Sequence, residues 1–354
     1  MVLLFFRFIY ISFLLSIAAA FACTEFVLVD GMQQSVVART LEFGPDLQSE
    51  IRNFPKGSKF TSYLANDQIG MQWSAIYGFL GVMAYEEFMI DGFNEAGLSA
   101  AILWFPGAVY KEPVLKQNSK TIAFEDFTFW VLASFATVDE VKEALASLQI
   151  WFHPIDHFTT VPPIHISIHD RKGKSIVIEF INGRMEVYDN PVRVVTNAPE
   201  FPWHLTNLRN YLNLSALNKG SISVDGLSLS PIGQGSGFVG LPGDWTPPSR
   251  FVRIALFKNF VKMAKDREEN VNLAFHLLNT VDIPYGTIQS VDGSNPDYTQ
   301  WIVVKDLSGG QLYYRTYGNL NIKVLNIAEM VGPHAKIQRI PMHGSGTKEK
   351  ALNR

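Results

Sequence analysis

Ala20-Phe21-Ala22-Cys23-Thr24-Glu25-Phe26-Val27-Leu28-Val29 joins two unlike pieces of chain, and the chain's one cysteine stands at the join. Upstream, Arg7 is the only charge before Glu25, and residues 8–21 are almost wholly apolar. A positive start, a short apolar run and an Ala-x-Ala site describe a secretory signal peptide, residues 1–22, cut after Ala22. The apolar run is somewhat short of the ~20 residues that a membrane anchor needs. Downstream, residues 24–29 read at once as a strand, with no Gly/Ser tether between cut site and fold. Cleavage makes Cys23 the first residue of a periplasmic or secreted chain and leaves that chain with no stable membrane span.

Three readings of Cys23 compete on this pattern. It is a small buried thiol, or a lipidated residue of a non-catalytic binding lipoprotein, or an N-terminal nucleophile. In the third, the thiol attacks and the residue's own α-amine accepts the proton. The two groups titrate near ~8.5 and ~8, so either loses a proton close to neutrality. One residue then holds both nucleophile and base, and the amine becomes a base only after the chain is cut.

The rest of the composition narrows the field. The net charge of −3 over 354 residues offers no basic excess for nucleic acid. A single cysteine excludes an intrachain disulfide, a thiolate zinc cluster and a cysteine-ligated iron–sulfur centre. The histidines are scattered; His165 and His169 share one strand face and read as satisfied residues, so no metal or other cofactor is expected. Gly235-Ser236-Gly237-Phe238-Val239-Gly240 matches a dinucleotide fingerprint, but Pro242 follows and no helix starts there.

Along the chain, two short strands joined by a tight turn at Asp30-Gly31 are expected over 26–41. Asp91 to Leu98 reads as a turn feeding a strand over 99–104. Residues 124–149 predict two helices broken near Ala136, where Thr137 and Glu140 form a capping box. Strands follow at 164–169, 175–181, 185–188 and 192–196, with Asn182-Gly183 as a hairpin signal. Helices are expected at 203–214, 250–265 and 270–279, and strands at 300–305 and 312–317. Residues 215–249 form a long Gly/Ser/Pro-rich loop, and residues 345–354 a frayed tail. No linker divides 23–344, so one domain is expected. The order of elements predicts an α+β fold, two antiparallel sheets stacked between helical layers.

Five elements in order resemble the choloylglycine hydrolase family of N-terminal nucleophile hydrolases, which includes conjugated bile acid hydrolases and penicillin V acylases. They are Cys23-Thr24, Arg39-Thr40-x-Glu42, Asp91-Gly92-x-Asn94-Glu95-x-Gly97-Leu98, Val195-Thr196-Asn197-x-Pro199, and residues 240–251 from Gly240-Leu241-Pro242-Gly243-Asp244 to Ser249-Arg250-Phe251. The resemblance implies a four-layer αββα sandwich and hydrolysis of linear amides. It places Cys23 as nucleophile, with Arg39 and Arg250 beside the thiol and Asn197 as a side-chain oxyanion donor. Glu42 stands where most members have Asp and would hold the α-amine. Trp104 falls where family members often carry Asn or Tyr; its backbone N–H would serve the oxyanion and its indole would shape the acyl pocket. Bile-acid conjugates, phenoxyacetyl penicillins and N-acyl homoserine lactones are the implied substrates, and the 215–249 loop resembles the assembly loop of homotetrameric members.

Overall fold

The computed structural model describes residues 22–112, 118–155, 158, 160–291, 293–294, 296–332 and 335–342. The expected signal peptide up to Phe21 and the expected tail lie outside the described residues. Strand β1 (Ala22–Val29) pairs antiparallel with β2 (Ser35–Phe43), so the first strand starts two residues before the one expected from Thr24. Asp30 closes its turn by accepting the backbone N–H groups of Met32 and Gln34. All nine residues of β2 are buried, because both faces of this sheet are covered.

Six strands form the first sheet, in the order Val194–Val195, β1, β2, Tyr298–Asp306, Gln311–Thr316 and Asn319–Asn326. Eight form the second, in the order Arg184–Asp189, Ser175–Ile181, Ile164–Asp170, Leu98–Trp104, Phe88–Asn94, Phe79–Ala84, Glu50–Phe54 and Arg339–Pro341. Neighbouring strands are antiparallel throughout both sheets. Helices α1 (Phe127–Ser134) and α2 (Val138–Leu145) cover the outer face of the second sheet. Helix α3 (Phe201–Asn207) follows the short edge strand, and α4 (Pro247–Phe260) and α5 (Arg267–Leu278) cover the outer face of the first sheet. The result is the expected four-layer αββα sandwich.

Local signals placed most elements. The Thr137 capping box is formed on both sides, and it starts α2 after the break. Asn182 and Gly183 both adopt positive φ, as a two-residue hairpin turn requires. Several expectations change. Residues 91–94 end a strand, Phe88–Asn94, and only Asn94–Gly97 turns. The 203–214 helix is a shorter α3 followed by a 3-10 turn over Leu208–Tyr211. The 192–196 strand shrinks to two residues, and residues 319–326 add an edge strand. Within the long loop, Ile222–Val224 and Leu227–Leu229 make a small exposed hairpin. The dinucleotide-like glycines carry only one 3-10 turn, at Ser236–Phe238.

Candidate active site

Alternation along β1 sorts the groups around the cysteine. Cys23 and Glu25 face the second sheet, whereas Thr24 faces α4. The Cys23 side chain is buried and lines an apolar pocket of about 80 Å³. Phe88, Ile102, Trp104, Phe124, Ile155 and Phe158 line it, with Glu125 as a charged group alongside Arg39. The Trp104 indole meets the Phe158 ring at 5.8 Å, and both rings line the pocket.

Two arginines bracket the cysteine from opposite sides of the sheet. Arg39, opposite Glu25 on β2, places Nη2 3.6 Å from Cys23 Sγ and donates to the Ile102 carbonyl at 2.7 Å. Its Nη1 donates to the Ile90 carbonyl at 2.5 Å and lies 3.3 Å from Asp91. From the helix side, Arg250 on α4 donates to the Cys23 carbonyl and to Thr24 Oγ1, both at 2.6 Å. Its other nitrogens donate to Asn197 Oδ1 at 2.7 Å and the Trp245 carbonyl at 2.8 Å. Pro247 at the start of α4 aims the helix so that Arg250, one turn in, reaches β1. Burial pushes the Cys23 thiol up, and Arg39 and Arg250 pull against it.

Asn197 joins the sheets. Its Oδ1 accepts the Cys23 backbone N–H at 2.9 Å, and its Nδ2 donates to the Trp104 carbonyl at 2.8 Å. His204 of α3 supports it from below, with Nε2 2.9 Å from the Asn197 carbonyl. Burial lowers the His204 imidazole to about 4, so the ring is neutral and its Nε2–H donates.

Glu42 lies opposite Ala22 in the β1–β2 register, at the mouth of the strand end. Thr299 donates to its Oε1 at 2.9 Å, whereas buried Oε2 has no hydrogen-bond partner among the described residues. Burial pushes this carboxyl up to about 7, against the opposing pull of Arg250, Thr40 and Thr299.

All six predicted site residues therefore converge: Cys23, Arg39, Glu42, Trp104, Asn197 and Arg250. Sequence reasoning missed the buried ionic cluster behind Arg39. Lys305 contacts Asp91 and sits 3.1 Å from Glu25, and Glu25 also meets Ser167 and His169. A lone lysine inside the apolar run Trp301-Ile302-Val303-Val304-Lys305 was the available signal. Of the two strand histidines, His165 is satisfied at both nitrogens, by Glu179 and the Thr196 carbonyl, whereas His169 meets Glu25 through Nε2 and leaves buried Nδ1 with no partner among the described residues.

An αββα sandwich that sets its cysteine near the start of the first strand, between two buried arginines, is the arrangement the site presents. Residues 23–331 match the family model described as linear amide C–N hydrolases, choloylglycine hydrolase family, and the chain belongs to that family. It is 38% identical over 239 residues to the bile salt hydrolase/transferase of Clostridium perfringens, covering 67% of this chain and 72% of that one. It is 26% identical over 361 residues to the penicillin V acylase of Pectobacterium atrosepticum, covering 94% and 89%. A crystal structure of a variant conjugated bile acid hydrolase from Clostridium perfringens superposes with a TM-score of 0.82 at 30% identity, covering 94% of this chain and all (100%) of that one. The protein is accordingly an amidase acting on linear amides.

Proposed function

We propose that removal of residues 1–22 frees the Cys23 amine and that Cys23 is the nucleophile of amide hydrolysis. The observation that carries this is the placement of Cys23 in the pocket lining, with Sγ 3.6 Å from Arg39 Nη2. The α-amine accepts the thiol proton, and Sγ attacks the amide carbonyl carbon. Asn197 Nδ2 has two hydrogens; one is held by the Trp104 carbonyl and the other serves the oxyanion with the Trp104 N–H. Collapse of the tetrahedral adduct breaks the C–N bond, and the amine leaves with the proton. Water then cleaves the Cys23 thioester and releases the acid. Glu42 holds the α-ammonium that forms when the amine takes the thiol proton, through its orphaned oxygen.

The apolar lining fits a bulky apolar acyl group, leaving a small polar amine toward solvent. Conjugated bile acids and penicillin V are the first substrate candidates, in keeping with the relatives' names, and N-acyl homoserine lactones are the runner-up. A binding lipoprotein is disfavoured, because Cys23 is only 3% exposed and β1 begins at Ala22. The exported location follows from the leader's pattern alone, and the exposed 222–229 hairpin supports self-association to a homotetramer. Product assays on a panel of bile salts, penicillin V and acyl-homoserine lactones test the substrate, and Cys23→Ser tests the mechanism. A serine variant with full activity, or a diacylglyceryl mass on Cys23, would overturn it.

A further inference from the structure

Behind Arg39 lies an ionic cluster that the hydrolytic steps do not use. Arg39 and Lys305 supply two cations; Glu25 and Asp91 supply two carboxylates, and all four side chains are buried. Lys305 is placed by the register of the first sheet, opposite Val37 and thus on the same face as Arg39 and Cys23. Asp91 comes from the second sheet and bridges the two cations, with Oδ1 on Lys305 and Oδ2 on Arg39. The Arg39 guanidinium is thereby shared between Asp91 and the Cys23 sulfur.

Charge counting shows what the lysine does. Counted over these four groups with the thiol neutral, the two cations balance the two carboxylates. Without Lys305, Asp91 and Glu25 would have Arg39 as their sole cation among these four groups, and its charge would be spent on them. A buried cluster of two carboxylates and one cation would set a negative potential beside the sulfur and oppose thiolate formation. We propose that Lys305 is a positioning residue for amide hydrolysis, neutralising Asp91 and Glu25 so that the Arg39 charge is left for the Cys23 thiolate. This assignment rests on Cys23 as the nucleophile.

The charged and titratable groups around both ends are few. Cys23 faces Arg39 and Glu42 from β2, Arg250 from α4, Glu125 across the pocket, and its own amine. Lys305 faces Glu25 from β1 and Asp91 from the second sheet, with His169 behind Glu25. Burial by itself would raise Glu25, but Lys305 and His169 bring that carboxyl well below its usual range. Burial pushes Asp91 up while Lys305 and Arg39 oppose it.

The test is the pH dependence of iodoacetamide alkylation of the purified mature chain. Cys23 is the only cysteine, so the rate reports that thiol alone. Lys305→Met is expected to move the alkylation midpoint up by about one pH unit, read as roughly tenfold slower alkylation at pH 7, with the acid limb of kcat/KM following. Asp91→Asn is isosteric, leaves Arg39 held by the Ile90 and Ile102 carbonyls, and is expected to move the midpoint down. Opposite shifts are the signature of charge; packing damage would move both variants the same way or neither. Midpoints that move together, or a folded Lys305→Met with an unshifted profile, would overturn the proposal. If Lys305→Met does not fold, Asp91→Asn decides alone, and no downward shift overturns the proposal. Alkylation does not depend on turnover, so an active Cys23→Ser variant would sink the catalytic reading separately.

Discussion

Glu42→Gln in the uncut chain offers a direct reading of how the site is charged. While Ala22 precedes Cys23, no ammonium is available to the buried Glu42 carboxyl, and its Oε2 is orphaned. That carboxyl titrates near 7 in the folded chain against an ordinary 4.5. At about 1.4 kcal/mol per pH unit, ionising it in place costs about 3 kcal/mol of stability. The sign follows from proton binding. Between pH 4.5 and 7 the folded chain holds a proton that the unfolded chain has released, so stability falls as pH rises through this window. Replacing Glu42 with Gln removes the charge, so the uncut variant is expected to be about 3 kcal/mol more stable than its parent at pH 8, less whatever its NH2 leaves unpaired. Near pH 4 the two should match. Urea unfolding of full-length parent and variant across this range measures the difference. In the chain cut after Ala22 the ammonium compensates the carboxylate, so the stabilisation should vanish and activity should fall. A parent–variant difference that does not grow with pH, or the same gain in cut and uncut chains, would refute the role assigned to Glu42.

Three further outcomes follow from the same geometry. Arg250→Lys keeps the charge but cannot span the four oxygens that Arg250 reaches, so kcat/KM should fall by about 10²-fold with alkylation of Cys23 retained. His204, lowered by burial from an ordinary 6.5 to about 4, should make the fold lose up to about 3 kcal/mol as pH falls from 6.5 to 4, because the unfolded chain takes the proton first. Its imidazole resonance, followed by NMR, would contradict this by titrating near 6.5. Asn94→Ala breaks side-chain bonds to the Leu132 and Phe135 carbonyls and to the Ala96 and Leu98 N–H groups, and should cost about 3 kcal/mol in chemical unfolding with KM unchanged.

The Asn94 bonds also show why one motif was legible and yet misread. Asp91-Gly92-x-Asn94-Glu95 looks like a turn because its residues favour turns. Pairing with Phe79–Ala84 draws the first four into a strand, and Asn94 then pins the end of α1. Trp104 was legible as a pocket residue only through resemblance; its contact with Phe158 joins residues 54 positions apart. The short exposed hairpin at 222–229 carries alternating Ile222, Val224, Leu227 and Leu229, but Gly, Ser and Pro around it hid that pattern.

By itself the sequence determined what short-range physics encodes. It marked the lone cysteine at the head of a strand, the Thr137 cap, the Asn182-Gly183 turn and the alternation that makes two sheets. Only the tertiary structure decided the charges. Lys305 meets Glu25 across 280 positions, and Arg250 meets the Cys23 carbonyl across 227. No local pattern specifies such pairs, because which charges share a low-dielectric layer depends on how two sheets stack. The same stacking buried Glu42 with one oxygen unmet, a property of its surroundings rather than of the residue.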